Sequence, residues 1–120
     1  MTYAEMKQAL AMVDGAVEKL EMVMDFGARL EPVPVNAVCS EIVGCSSFVQ
    51  ICRDGVRFYA NADSALVRGI AAIIVAMVDG HSADEIKEMD IAGEFSALGL
   101  NLGVGRLNGV NSMIRFLQNL

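Results

Sequence analysis

The residues best placed for chemistry are a cysteine and the glycine before it, Gly44-Cys45, within the segment Val43-Gly44-Cys45-Ser46-Ser47-Phe48-Val49. Turn-like sequence passes into strand-like sequence here, so Cys45 is predicted to lie at a bend. Gly44 lets the backbone adopt a positive φ and leaves room around the sulfur, which a cysteine used only for packing does not need. Because a thiolate is a nucleophile, Cys45 is the candidate reactive residue.

The chain contains two further cysteines, and no pair of cysteines has the Cys-x-x-Cys spacing. The first residues, Met1 to Glu5, lack the basic start and apolar core of an export signal, so we expect a cytoplasmic protein. Thiols stay reduced in that compartment, and all three cysteines are expected to be free. Cys52 is most simply a packing residue on a strand. Cys39 is either unreactive or a thiol that resolves a bond formed at Cys45.

Metal and nucleotide sites are weakly supported. A zinc site built from the three cysteines and His81 would need the close paired spacing that zinc ligands show, and this chain lacks it. His81 follows a glycine that ends a helix and is expected at the surface. The stretch Gly103-Val104-Gly105 is too short for a dinucleotide fingerprint. We therefore expect no metal and no cofactor in this chain.

Composition limits the function classes. With 120 residues, of which 54% are hydrophobic, the chain is expected to form one domain, residues 1–120, with a substantial core. The longest apolar run, residues 69–78, is too short to span a bilayer, so no membrane segment is expected. The net charge of −6 and the absence of a basic stripe argue against nucleic acid as a partner.

Helices are predicted at the N-terminal end. Helix formers fill residues 3–12 up to the breaker Asp14-Gly15, and a second helix runs from residue 14 to residue 30. Pro32 and Pro34 stop it and leave an extended connection. Its core-facing stripe is predicted to be Val17, Leu20 and Met24. Its acidic face is either a solvated surface or a dock for a basic partner, and it comprises Asp14, Glu18, Glu21 and Asp25.

A β-hairpin is predicted in the middle of the chain. Residues 47–52 form one strand, Arg53-Asp54-Gly55 the turn and residues 56–60 the returning strand. Period-two alternation places Phe48, Gln50 and Cys52 on one face and Val49 and Ile51 on the other. A hairpin alone is marginally stable, so a third strand or a covering helix must complete the sheet.

Helices are predicted again after the hairpin. Residues 64–79 are apolar almost all round and form the central helix, capped by Asp63 or Ser64. A capping box at residues 82–85 opens another helix, and a short helix follows at residues 90–98. The loop 99–105 holds three glycines. The last helix buries Leu107, Val110, Ile114 and Leu117. Along the chain, helices come before and after an antiparallel sheet built on the hairpin, and this order indicates an α+β fold.

Three motifs in this order resemble those of the SufE family, the sulfur acceptors of iron–sulfur cluster assembly. The resemblance covers nearly the whole chain and rests on the order and spacing of the motifs. They read Gly44-Cys45-Ser46-Ser47-Phe48-Val49, then Asp63-Ser64-Ala65-Leu66-Val67-Arg68-Gly69, then Arg106-Leu107-Asn108-Gly109 before an apolar helix. The resemblance implies a SufE/IscU-like fold with its sheet built on a hairpin.

The resemblance also implies a function. Cys45 would take persulfide sulfur from a SufS-like, pyridoxal-phosphate-dependent cysteine desulfurase, stimulate that enzyme, and pass the sulfur to a scaffold protein. The chain would act as a covalent carrier and activator rather than a stand-alone enzyme, as a monomer or a homodimer. Gly44, Asp63 and Arg106 would support Cys45, with Asp63 controlling the loop and Arg106 meeting the desulfurase or steadying the loop.

Such a thiol must attack as a thiolate, so a lowered or conditionally lowered pKa and restricted access of water are expected. If the helix that starts near Asp63 and Ser64 lies close to Cys45, the positive end of its dipole would favour the thiolate.

Two departures from the family leave an alternative open. Gln50 stands where many relatives have tryptophan, and Gly103-Val104-Gly105 replaces a Thr-Pro-like approach to the arginine. The alternative is a non-catalytic adaptor or metal-binding module of the same fold. A disulfide-exchange protein is disfavoured because no Cys-x-x-Cys pair is present.

Overall fold

Two helices precede a three-stranded antiparallel sheet and four helices follow it in the computed structural model, which describes residues 1–120. The predicted α+β class is therefore confirmed. The elements are α1 (Tyr3–Ala11), α2 (Ala16–Ala28), β1 (Val38–Glu41), β2 (Val49–Asp54), β3 (Arg57–Ala62), α3 (Ala65–Val78), α4 (Ala83–Lys87), α5 (Ile91–Ser96) and α6 (Val104–Leu117).

The sheet has the order β1-β2-β3, with both neighbouring pairs antiparallel. The predicted hairpin is confirmed as β2 and β3, joined by Gly55 and Val56, with Gly55 at φ 63°. Val49 and Ile51, which the alternation placed together on one face, are both buried in the core. The third strand, β1, was not located from the sequence, because none of its four residues is buried and it lacks the apolar alternation of a strand.

Helix α3 is the centre of the core. Its buried residues include Ile70, Ile73 and Ile74, each at most 1% exposed, and it contacts both α2 and the sheet. The cap is Ser64, whose hydroxyl accepts a hydrogen bond from the Val67 amide at 3.5 Å. Asp63, the other predicted cap, lies one residue before it. The apolar run of this helix is thus accounted for by burial in a globular core.

Glycines let α2 and α3 pack at close range. A Cβ atom on Gly27 would lie 2.6 Å from the amide nitrogen of Gly69, and one on Gly69 would overlap the carbonyl oxygen of Val23. The buried face of α2 is therefore centred on Val23, Phe26 and Gly27. The predicted stripe was wrong at two of its three positions: Val17 is 64% exposed and Met24 is 36% exposed, whereas Leu20 is partly buried against the core. The close contact with α3 requires small residues on α2, so it does not follow the row of large apolar side chains.

The C-terminal region differs from its prediction at one boundary. Helix α6 begins at Val104, so the end of the predicted glycine loop forms the first helical turn. Leu107, predicted as a core residue, is 43% exposed, whereas Val110, Ile114 and Leu117 are buried as predicted. None of the helices is both long and apolar enough to cross a membrane.

The glycine contact predicts a selective loss of stability. Gly69→Ala places a methyl group against the Val23 carbonyl, so the free energy of unfolding should fall by about 2 kcal/mol or more. Urea denaturation followed by circular dichroism measures this loss. The matched control is Gly105→Ala in α6, where an added Cβ meets nothing within 4 Å and helix propensity favours alanine. Equal stability of the two variants would contradict close packing at Gly69.

Candidate functional site: a sheltered cysteine

The candidate site lies on the loop between β1 and β2, residues 42–48. The amide of Ile42 donates a hydrogen bond to the carbonyl of Val49 at 2.9 Å, which closes the base of this loop. Ile42 is 4% exposed and packs in the core, so the loop is anchored where it leaves β1. The exposed residues Val43 and Gly44 then lead to Cys45.

Gly44 has φ 97°, the positive value that its place before Cys45 predicted. A Cβ atom at this position would lie 2.5 Å from the hydroxyl oxygen of Ser112 in α6. That hydroxyl is itself held by a hydrogen bond that it donates to the Asn108 carbonyl at 3.0 Å. Gly44 is thus required both for the backbone conformation and for the close approach of the loop to α6.

The thiol of Cys45 rests on the same helix. Its S–H group donates to the carbonyl oxygen of Gly109, with 3.8 Å between sulfur and oxygen. A Cβ atom on Gly109 would come within 3.3 Å of the sulfur, a tight contact. The glycine of the Arg-x-x-Gly motif therefore leaves the space in which the sulfur sits.

A small cavity of about 20 Å³ adjoins the thiol. Its wall combines the Cys45 loop, the first two turns of α3 and one side of α6. Arg106, predicted from sequence to support Cys45, lies in this wall, and its guanidinium donates to the Leu102 carbonyl at 3.4 Å. The lining residues are Cys45, Ser46, Ser47, Val67, Ile70, Gly105, Arg106, Gly109 and Met113.

Asp63 lies near the loop without lining this cavity. Its backbone amide donates to the carbonyl of Phe48 at 3.3 Å, which ties the end of the loop to the start of α3. Its side chain is exposed and makes no hydrogen bond or ion pair. The predicted control of the loop by Asp63 stays a prediction.

Burial raises the pKa of the Cys45 thiol above its ordinary value. The expected lowering by the N-terminus of α3 is not found in this conformation. The side chains that α3 contributes to the cavity, Val67 and Ile70, are apolar, so they remove water from the sulfur without stabilising a thiolate. Near neutral pH the sheltered thiol is therefore protonated.

Three exposed apolar residues lie close in sequence to residues of the site. We call Val43, Val104 and Leu107 the apolar rim; they are 89%, 78% and 43% exposed. Val43 precedes Gly44, and the other two residues flank Arg106 on α6. Sequence reasoning missed this rim, because Leu107 matched the apolar period of its helix and was assigned to the core.

Cys39 and Cys52 form a disulfide bond, so the expectation that all three cysteines are free was wrong. The two residues face each other across β1 and β2. Cys52 is fully buried but lies outside the main core cluster, and Cys39 is bonded to Cys52 rather than available to resolve Cys45. The pairing could not be seen in the sequence because β1 itself carries no strand signal. Cys45 is the free cysteine.

No group of three or more His, Cys, Asp or Glu side chains is arranged to hold a metal ion. The imidazole of His81 lies 3.6 Å from the carboxylate of Glu85, one turn along the chain, and both side chains are largely exposed. The four residues considered for a zinc site do not converge, since two are joined to each other by the disulfide.

Comparison with known proteins adds the family context. A family model described as "SufE: Fe-S metabolism associated domain" matches residues 4–120. An uncharacterised SufE-like protein of Rhizobium meliloti (strain 1021) is 30% identical over 121 aligned residues, covering 91% of this chain and 86% of the relative. The sulfur acceptor protein CsdE of Escherichia coli (strain K12) is 27% identical, with coverage of 80% and 71%.

A solved structure shares the fold. The solution structure of a hypothetical protein from Thermus thermophilus superposes with a TM-score of 0.69 and 18% identity, covering 99% of this chain and 94% of the other. At this level of identity the likeness concerns the fold alone.

The burial of Cys45 predicts its pH dependence. Because the pKa of the thiol is raised, its alkylation by iodoacetamide should increase with pH along a curve whose midpoint lies above that of an ordinary thiol. Intact-protein mass spectrometry measures the rate in oxidised protein, where the disulfide leaves Cys45 as the reacting thiol. A short cysteine peptide serves as the reference. A midpoint at or below that of the peptide would contradict a sheltered thiol.

Proposed function

Because the chain belongs to the SufE family, we propose that it is a sulfur acceptor for iron–sulfur cluster assembly that carries sulfur as a persulfide on Cys45. The donor is a pyridoxal-phosphate-dependent cysteine desulfurase, and the recipient is a scaffold protein. The cofactor belongs to the desulfurase, and this chain works without one. The observation that carries the proposal is a free cysteine, Cys45, at the position of the family motif. Its thiol lies against Gly109 of α6, and we call this position its seat.

The transfer is a thiol exchange. The Cys45 thiolate attacks the outer sulfur of the persulfide on the desulfurase, and a new sulfur–sulfur bond forms at Cys45. The old bond breaks, and the desulfurase cysteine leaves as a thiolate. Removing the persulfide regenerates the enzyme, so acceptance at Cys45 stimulates turnover. A second exchange passes the outer sulfur to the recipient and restores the Cys45 thiolate.

The seat on α6 favours storage over reaction. A cavity of about 20 Å³ beside the sulfur holds roughly one atom of the size of a water oxygen. The outer sulfur of a persulfide is one added atom, which this space and a small shift of the loop accommodate. The raised pKa of the thiol keeps it protonated in the seat. Reaction therefore requires the loop to leave α6 and the sulfur to meet water or the partner site.

The apolar rim supplies a surface for the desulfurase. Val43, Val104 and Leu107 expose apolar side chains within two residues of Gly44 or Arg106 in the sequence, and Arg106, in the wall of the Cys45 cavity, adds a positive charge. Apolar contact with a central arginine is typical of protein interfaces. Docking there would bring the enzyme to the loop and exchange the contacts on α6 for contacts with the partner.

Mass spectrometry tests the carrier function. After incubation with a cysteine desulfurase, pyridoxal phosphate and cysteine, the protein should gain the mass of one sulfur atom on Cys45. Cys45→Ser should gain none and should fail to stimulate the desulfurase, while keeping its fold and its binding to the enzyme. Absence of added sulfur on the wild-type protein with several desulfurases would reject the transfer function. Binding without transfer would favour the adaptor alternative.

The position of Arg106 predicts a defect in docking. Arg106→Ala should lower the rate of sulfur transfer by on the order of tenfold, because it removes the charge within the apolar rim. Initial rates of persulfide formation at limiting desulfurase measure the effect. Arg29→Ala is the matched control, since Arg29 is also exposed but lines a different cavity with Met6 and Phe26. Equal loss in both variants would remove the specific role of Arg106.

A further inference from the structure

We propose that Cys39 and Cys52 form a reversible redox site that controls how readily the Cys45 loop opens. The purpose of this control rests on the proposed function, whereas the effect on the loop concerns this chain alone. Closure of the disulfide holds the loop on α6, and its reduction frees the loop.

The position of the bond is the first argument. Cys39 and Cys52 are directly opposite in the antiparallel register of β1 and β2. The hydrogen bond from Ile42 to Val49 identifies that pair as hydrogen-bonded, so by alternation the cysteine pair is a non-hydrogen-bonded one, where side chains lie closest. The bond thus joins β1 and β2 near the base of the loop that carries Cys45. The two cysteines are 13 residues apart in the sequence.

The weakness of β1 is the second argument. It is an edge strand with β2 as its neighbour, and none of its four residues is buried. Val38, at one end, is 74% exposed. Apolar packing therefore contributes little to its attachment until Ile42, and the backbone ladder and the disulfide hold it. Removal of the covalent link leaves a short, exposed edge, which is the kind of segment that opens locally.

The other end of the loop is firmly held. Strand β2 is central in the sheet, and Val49 and Ile51 are at most 2% exposed. The link from Asp63 to Phe48 adds a further attachment on that side. On the β1 side the loop is held by the burial of Ile42 and by the disulfide, and the disulfide is the attachment that can be removed reversibly.

The two cysteine residues differ in their exposure to solvent. Cys39 is exposed, whereas Cys52 is fully buried. A thiolate of a small-molecule or protein thiol attacks the Cys39 sulfur, and Cys52 leaves as a thiolate and takes a proton. A second thiolate of the reductant then displaces Cys39 and completes a two-electron reduction, leaving the reductant as a disulfide. A small-molecule disulfide reverses both steps.

This redox site links sulfur acceptance at Cys45 to the ratio of thiols to disulfides in the surroundings of the protein. In a reducing compartment a disulfide is usually transient and redox-sensing rather than structural. Reduced protein would release Cys45 readily for reaction with the desulfurase. Oxidised protein would hold Cys45 in its seat, so that a reactive persulfide is not formed while oxidants are present.

Site-specific alkylation tests this control without any desulfurase. Wild-type protein is prepared oxidised with glutathione disulfide, or reduced with dithiothreitol and then freed of reductant without oxygen. Both samples are treated with iodoacetamide at one pH. Cleavage after Glu41 and after Phe48 places the three cysteines on separate peptides for mass spectrometry. Cys45 should be alkylated faster in the reduced sample, on the order of fivefold, and amide hydrogen exchange should rise in residues 38–48.

The control variant is Cys39→Ala/Cys52→Ala, which lacks the bond. It should show the faster rate after either treatment. Equal rates at Cys45 in oxidised and reduced wild-type protein would overturn the proposal, as would failure of Cys39 and Cys52 to become protected from alkylation on oxidation. If the rates differ but no desulfurase transfers sulfur, the redox control stands and the proposed function fails. If a desulfurase transfers sulfur but Cys45 is alkylated at equal rates in both states, the proposed function stands and the redox control fails.

Discussion

The contact between the Cys45 loop and α6 is the interaction on which the candidate site depends. It is made at two positions, and one partner in each is a glycine. Gly44 lies against Ser112, and the Cys45 sulfur lies against Gly109. Neither contact is strong, since one is a close van der Waals approach and the other a long hydrogen bond to sulfur. A loop held by contacts of this strength is positioned without being locked, which is compatible with the release by a partner that the proposed function requires.

Glycine has the same role elsewhere in the molecule. Gly69, which ends the second family motif, allows α3 to approach α2 at Gly27. That close packing fixes the position of α3, whose Val67 and Ile70 then form the apolar side of the Cys45 cavity. The motifs that resemble the SufE family thus contain glycines with a steric purpose. Most of the motif residues explained by the structure allow close approach of backbone segments around the thiol, and few of them are reactive groups.

The site reconciles two opposed requirements. A sulfur carrier needs a nucleophilic thiolate, yet a persulfide exposed to solvent thiols and oxidants is quickly lost. Burial that raises the pKa of Cys45 satisfies the second requirement at the expense of the first. In the proposed function, release of the loop would separate the two in time. Control over the anchor of the loop at β1 would then set the balance between them.

Residue order was enough to predict the α+β class, the hairpin, the central helix α3 and the bend at Gly44, because each depends on local periodicity or on a residue with special backbone freedom. It also predicted Cys45 as the reactive residue and, through the motif order, Arg106 as its support, and the two residues line one cavity. Other features arise only when the chain packs. The Cys39–Cys52 bond depends on the pairing of a strand that has no sequence pattern of its own. The buried face of α2 and the raised pKa of Cys45 depend on which helices come close, and that is a property of the packed chain rather than of any segment.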